Sequence, residues 1–171
     1  MSTSTTAKPA TTNEILSSAQ LLEDWQGHRR LTRRVIEAFP EKEFFTYSIG
    51  GMRPFAEMVL EFQRMAEPGV RGIATREWLS ADQLPHLANQ QPATTKAEVL
   101  ARWDAATEAI NEVWPTIPEG RWQEEDVAFG MYPGHFYDFI LYFIDNEIHH
   151  RGQAYVYLRS LGIEPPAFWE R

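Results

Sequence analysis

Asn146-Glu147-Ile148-His149-His150-Arg151-Gly152-Gln153 sets a run of polar and ionisable side chains inside an otherwise aromatic, apolar segment. On the roughly 3.6-residue period of a helix, Phe139, Phe143, Asn146, His150, Gln153 and Tyr157 share one stripe. Such a stripe faces a core, so the polar groups on it need partners. Either they satisfy one another or they bind something. The helix that carries them is predicted from Gly134 to Leu161, with Gly162 suited to its C-terminal cap and Pro165-Pro166 preventing continuation.

Three further segments share its amphipathic character. The first runs from Ser18 to Phe39, with Leu21, Trp25, His28, Leu31, Val35 and Phe39 near one stripe. Ser17-x-x-Gln20 offers a capping box, in competition with Thr11-x-x-Glu14. Arg29, Arg30, Arg33 and Arg34 crowd its flank and read as a solvated basic face. The second begins after Gly50-Gly51, with Pro54 in its first turn and Phe55, Met58, Val59, Phe62 and Met65 inward, and Pro68-Gly69 is expected to stop it. Ser80 to Thr94 reads as a loop with at most a short helix. The third starts at the capping box Thr95-x-x-Glu98, carries Val99, Trp103, Ala106, Ile110 and Val113, and closes at Pro115. Gly120 to Pro133 reads as an irregular, partly extended crossing. Four amphipathic helices without a strong strand signal give an all-α fold, a four-helix bundle.

The length of 171 residues suits one domain with a sizeable core. Residues 1–12, rich in Ser, Thr, Ala and Pro, read as a disordered tail without signal-peptide features, and residues 13–171 as the single domain. There is no run of eighteen apolar residues, so neither a transmembrane helix nor a membrane partner is expected; without a targeting signal a cytoplasmic location is expected. The absence of cysteine excludes disulfides, thiolate metal sites and a cysteine nucleophile. Any metal must use His, carboxylate, amide or water. A formal charge of −8 is the wrong sign for a phosphate-neutralising protein, so nucleic acid is not an expected partner.

Asn146 and His150, at i and i+4, stack on one helix face in the way that bundles present metal ligands. A buried histidine bonded to a neighbour would give the same spacing. His149 lies about 100° around the helix, which makes it a supporting or interfacial residue. Glu61 among methionines needs a His, a cation or a route to water. His28 is either a further contributor to such a cavity or an edge histidine touching solvent. Gly152 costs about 1 kcal/mol in a helix relative to Ala, and close approach of another backbone would account for it. Phosphate loops, a Ser nucleophile elbow and a dinucleotide glycine pattern are absent.

The run from Glu147 through His149, His150 and Arg151 to Gln153, with Tyr155-x-Tyr157-Leu158-Arg159 and Leu161-Gly162-Ile163-Glu164-Pro165-Pro166 after it, closely resembles the last helix of the DinB/YfiT-like family. Met52-Arg53-Pro54-Phe55-Ala56-Glu57 and the opening helix extend the resemblance over most of the chain. It implies a bacterial four-helix bundle, often a homodimer, with a divalent metal (Zn, Ni, Mn or Fe) on three histidines. One of these comes from the second helix and two from the last. By position these ligands fall on Glu61, Asn146 and His150, of which only His150 is a histidine here. An oxygen-rich set with one imidazole holds Zn or Ni more weakly than three histidines do.

Characterised relatives include thiol transferases that use bacterial low-molecular-weight thiols, a mycothiol-dependent isomerase and metal-dependent hydrolases. The resemblance therefore implies a metal-dependent transferase or hydrolase acting on a small molecule between the second and fourth helices. In such a site the metal lowers the pKa of a thiol or a water. The alternative is a non-catalytic member, a small-ligand-binding or structural dimeric bundle with no functional metal. Glu61, Asn146 and His150 are expected to converge on one cavity, with His28 near it.

Overall fold

The computed structural model describes residues 15–171, so the expected tail at 1–12 and the Thr11-x-x-Glu14 cap lie outside the described residues. Five helices follow: α1 (Ser18–Ala38), α2 (Glu41–Thr46), α3 (Phe55–Thr75), α4 (Lys96–Val113) and α5 (Phe136–Ser160). The four long ones are those read from the sequence; its second helix is α3 and its fourth is α5. α1 packs on α4 and α5, and α3 packs on the same two, which closes a four-helix bundle. No helix among the described residues is long and apolar enough to cross a membrane.

Local chemistry sets the ends. The Ser17–Gln20 box opens α1 and the Thr95–Glu98 box opens α4. α5 ends at Gly162 (φ 76°), where Gly162 N donates to Arg159 O and Ile163 N to Leu158 O, the two bonds of a Schellman cap.

One local expectation is corrected and two segments are added to. α3 does not stop at Pro68-Gly69 but runs two more turns to Thr75. Pro68 has no N–H to give the Arg64 carbonyl, which costs about 3 kcal/mol in a helix interior. Val70 and Ile73 beyond it are fully buried, and at roughly 1.5–3 kcal/mol each they offset that loss. Gly69 lets the helices close up: a Cβ there would lie 2.2 Å from the Phe143 ring. The short α2, anchored by buried Phe44, is too brief to show a period. The crossing holds an antiparallel hairpin, β1 (Glu125–Ala128) with β2 (Tyr132–His135), turned by Phe129 and Gly130, both at positive φ.

The core divides into two apolar halves. One gathers Val35, Phe39, Phe55, Phe62, Trp103 and Tyr157; the other gathers Trp25, Val70, Ile110, Trp114, Phe136 and Phe143. On α1 and α5 the residues between them include Arg29, Thr32, Glu147 and Arg151, all buried.

Candidate functional site

The stripe on α5 behaves as its period predicts. Phe139, Phe143 and Tyr157 are buried, and Asn146, His150 and Gln153 between them are partly so. Glu61 reaches this polar stretch from α3. Its Oε1 accepts from Asn146 Nδ2 at 3.1 Å and lies 3.6 Å from His150 Nε2. The other oxygen, Oε2, lies 2.6 Å from Arg53 Nη2. Burial alone would raise the Glu61 pKa, but the bonds from Arg53 and Asn146 outweigh it and hold the carboxyl below its usual range. Glu61, Asn146 and His150 thus meet in space, about 85 residues apart in sequence.

His150 is positioned by its own helix. Gln153 Oε1 lies 3.3 Å from His150 Nδ1, and Gln153 Nε2 lies 2.9 Å from His149 Nε2. An amide oxygen only accepts and an amide nitrogen only donates, so His150 Nδ1 carries a proton and His149 Nε2 does not. The Phe62 ring, 5.8 Å away centroid to centroid, backs the imidazole. His150 Nε2 then turns a lone pair toward Glu61 Oε1 unless a proton or another cation lies between them.

The donor set fits a tightly held divalent ion poorly. Asn146 presents its NH₂ to Glu61, and one carboxylate oxygen is taken by a guanidinium. Among the described residues no group of three or more His, Cys, Asp or Glu side chains could hold a metal ion. Arg53 supplies at Glu61 the positive charge that a metal would otherwise bring.

His28 does not join this site. Its Nδ1 accepts from Arg151 Nη2 at 2.9 Å, and its Nε2 lies 2.7 Å from Arg171 Nη1 and 3.7 Å from Asp24 Oδ2. Burial, then Arg151 and Arg171, lower its pKa to about 4. Nor is Arg29 part of a solvated face. It is 1% exposed, stacks over Trp103 and donates to Thr107 Oγ1 and the Trp103 carbonyl. Its Nη1, without a hydrogen bond, lies 3.9 Å from Glu147 Oε2. Glu147 also accepts from Thr32 Oγ1 at 2.5 Å and Trp25 Nε1 at 3.3 Å, with Arg151 Nη1 3.7 Å away. Burial raises the Glu147 pKa despite both guanidiniums. This cluster ties α5 to α1. Its sequence signal was Glu147 and Arg151 at i and i+4, one residue off the aromatic stripe.

Beside Glu61 a groove of about 1030 Å³ opens between α3, the first half of α5 and the hairpin. Met65, Phe129, Phe139 and Phe143 give it apolar walls, and Arg53 and Glu61 line it together with Glu57, Arg64, Asp82 and Asp138. Asn146 and His150 lie behind Glu61, outside the groove's lining.

The chain matches the model of the DinB family over residues 1–171. No curated protein resembles it in sequence closely enough to match. Its fold is similar to the crystal structure of a DinB-like protein, YjoA, of Bacillus subtilis, at 18% identity and a TM-score of 0.67. The likeness covers 89% of this chain and 99% of that one, and at such identity it bears on the fold alone. The bundle topology and the family match over the whole length agree: this chain belongs to the DinB family.

Proposed function

We propose that this bundle binds a small organic molecule in the groove between α3 and α5, and that it does so without a resident metal. The observation that carries the reading is the Arg53–Glu61 pair, which neutralises the carboxylate by which a metal would be held. A mostly apolar concavity with a few convergent polar groups is the usual form of a small-molecule site. Glu61, which lines the groove, and His150 behind it can hold or pass one proton, with Asn146 fixing the carboxylate and Gln153 bonded to the imidazole. Elemental analysis of protein purified without an affinity tag tests this, alongside a Glu61→Ala, His150→Ala variant. Metal-free protein of normal stability supports it; stoichiometric metal that the variant loses overturns it.

The second reading is a metal-dependent transferase or hydrolase. It is favoured by one observation, the His150 lone pair facing Glu61 Oε1, since a cation there would satisfy both. Metal found in the same elemental analysis would support it.

Homodimer formation through the outer face of α5 is part of the proposal, because Leu141, Ile148 and Val156 lie exposed along it. Nucleic acid is not. Arg30 pairs with Glu23, Arg33 with Asp104 and Glu37, and Arg34 with Glu170, so the basic flank of α1 is already matched.

A further inference from the structure

The hairpin that borders the groove turns through Phe129 at φ 53° and Gly130 at φ 69°. In a turn with two consecutive positive φ values, Asn or Asp ordinarily precedes the glycine, because a short polar side chain tolerates that conformation. A phenylalanine there is strained, its Cβ crowded against the backbone. Residues held in such conformations gather at ligand sites, where the surrounding structure keeps them in place. What this one gains is the position of a ring. Phe129 touches Trp78, with centroids 5.3 Å apart, and still lines the open groove.

Trp78 in turn meets Phe139 edge to face at 5.4 Å, so the ring at the turn is fixed to the first half of α5. Gly134 lets β2 come down onto that helix, since a Cβ there would lie 3.1 Å from the Phe139 ring. Five residues around the groove are aromatic, Phe129, Tyr132, Phe139, Tyr142 and Phe143, against two large aliphatic ones, Leu60 and Met65. Tyr132 and Tyr142 are exposed, so two of these rings stand open to solvent. The charged residues among them are of both signs and set no single charge for a ligand. The excess of rings does favour one shape.

We infer, resting on the groove reading above, that its ligand is a flat aromatic molecule stacked on the ring of Phe129. Stacked or edge-on rings gain from their quadrupoles beyond the area they bury, by roughly two- to tenfold in affinity. A saturated ring system of the same size gains from the area alone.

Calorimetric titration of the full chain with 2-naphthol and with its saturated counterpart 2-decalol tests this, in the parent and in Phe129→Leu. Both probes carry one hydroxyl and no charge at pH 7, and leucine keeps an apolar side chain at the turn. The parent should bind 2-naphthol saturably and roughly three- to tenfold tighter than 2-decalol. Phe129→Leu should remove that margin by weakening 2-naphthol alone. Equal affinities in the parent, or a margin that survives the substitution, overturn the aromatic assignment and leave the groove reading standing. So does a parallel loss of both probes in the variant, which is what a Phe129 that only braces the hairpin would give. Binding of neither probe overturns the groove reading as well. Should Phe129→Leu fail to fold, the margin between the two probes in the parent decides alone.

Discussion

Arg53 Nη2 lies 2.6 Å from Glu61 Oε2, so an internal cation neutralises the carboxylate at a position where the family resemblance implies a metal-binding histidine. Two changes separate this site from a three-histidine one, and the guanidinium is a third obstacle. A triple variant Arg53→Met, Glu61→His, Asn146→His removes all three while His150 stays. Its zinc affinity, measured by competition with a chromogenic chelator, should exceed the parent's by on the order of 100-fold or more. An unchanged affinity would show that the helices do not hold positions 61, 146 and 150 at ligating distance.

Glu147 faces two buried guanidiniums, Arg29 and Arg151, and is itself 2% exposed. Glu147→Ala strands both charges away from water, and breaking a buried ion cluster in this way costs about 3–5 kcal/mol. Urea unfolding should show that loss. Glu147→Gln keeps an acceptor for Thr32 or Trp25 and should lose less.

How far the sequence is legible can be judged from these residues. The aromatic stripe of α5 and the capping boxes at Ser17 and Thr95 lie within one element, and periodicity finds them directly. Asn146 and His150 were visible as polar interruptions on that stripe, and Glu61 as a carboxylate among methionines. Glu147 and Arg151 sit on the more deeply buried face of the same helix, a placement that their spacing alone does not reveal. Their burial depends on Arg29, Thr32 and Trp25, more than 110 residues away, which no local pattern encodes. Arg53 was quoted only as part of the family resemblance, because its role exists only once α3 folds it back toward Glu61. His28 lay on the right stripe of α1 but serves Arg151 and Arg171 instead. Pro68 misled because the burial of Val70 and Ile73 beyond it outweighs a missing hydrogen bond.

His28 gives the fold an acid sensitivity of defined sign. Its folded pKa, about 4, lies below the usual 6.5. The unfolded chain therefore takes up a proton on this residue before the folded chain does. Its contribution to stability is present above pH 6.5 and shrinks as pH falls toward 4, by up to about 3 kcal/mol. Asp24 and Asp145 act in the opposite direction and are included in that value. The measurable quantity is the difference in unfolding free energy between the parent and His28→Asn across this range. A difference that does not vary with pH would mean that His28 titrates normally.

Gly152 sits two-thirds of the way along α5, exposed, and a Cβ built there meets nothing within 4 Å. The close approach that would explain a mid-helix glycine is thus absent from the described chain itself. In a monomer, Gly152→Ala should stabilise the protein by about 0.5–1 kcal/mol through helix propensity alone. If a second copy packs its backbone against this face, beside exposed Leu141, Ile148 and Val156, the added methyl obstructs the approach. The variant should then be less stable and shifted toward monomer. Light scattering after size exclusion, together with thermal unfolding of parent and variant at matched concentration, separates the two cases. We expect a dimeric parent and a weakened dimer in Gly152→Ala. A monomeric parent that the substitution stabilises would remove the pairing from the account and leave the groove reading untouched.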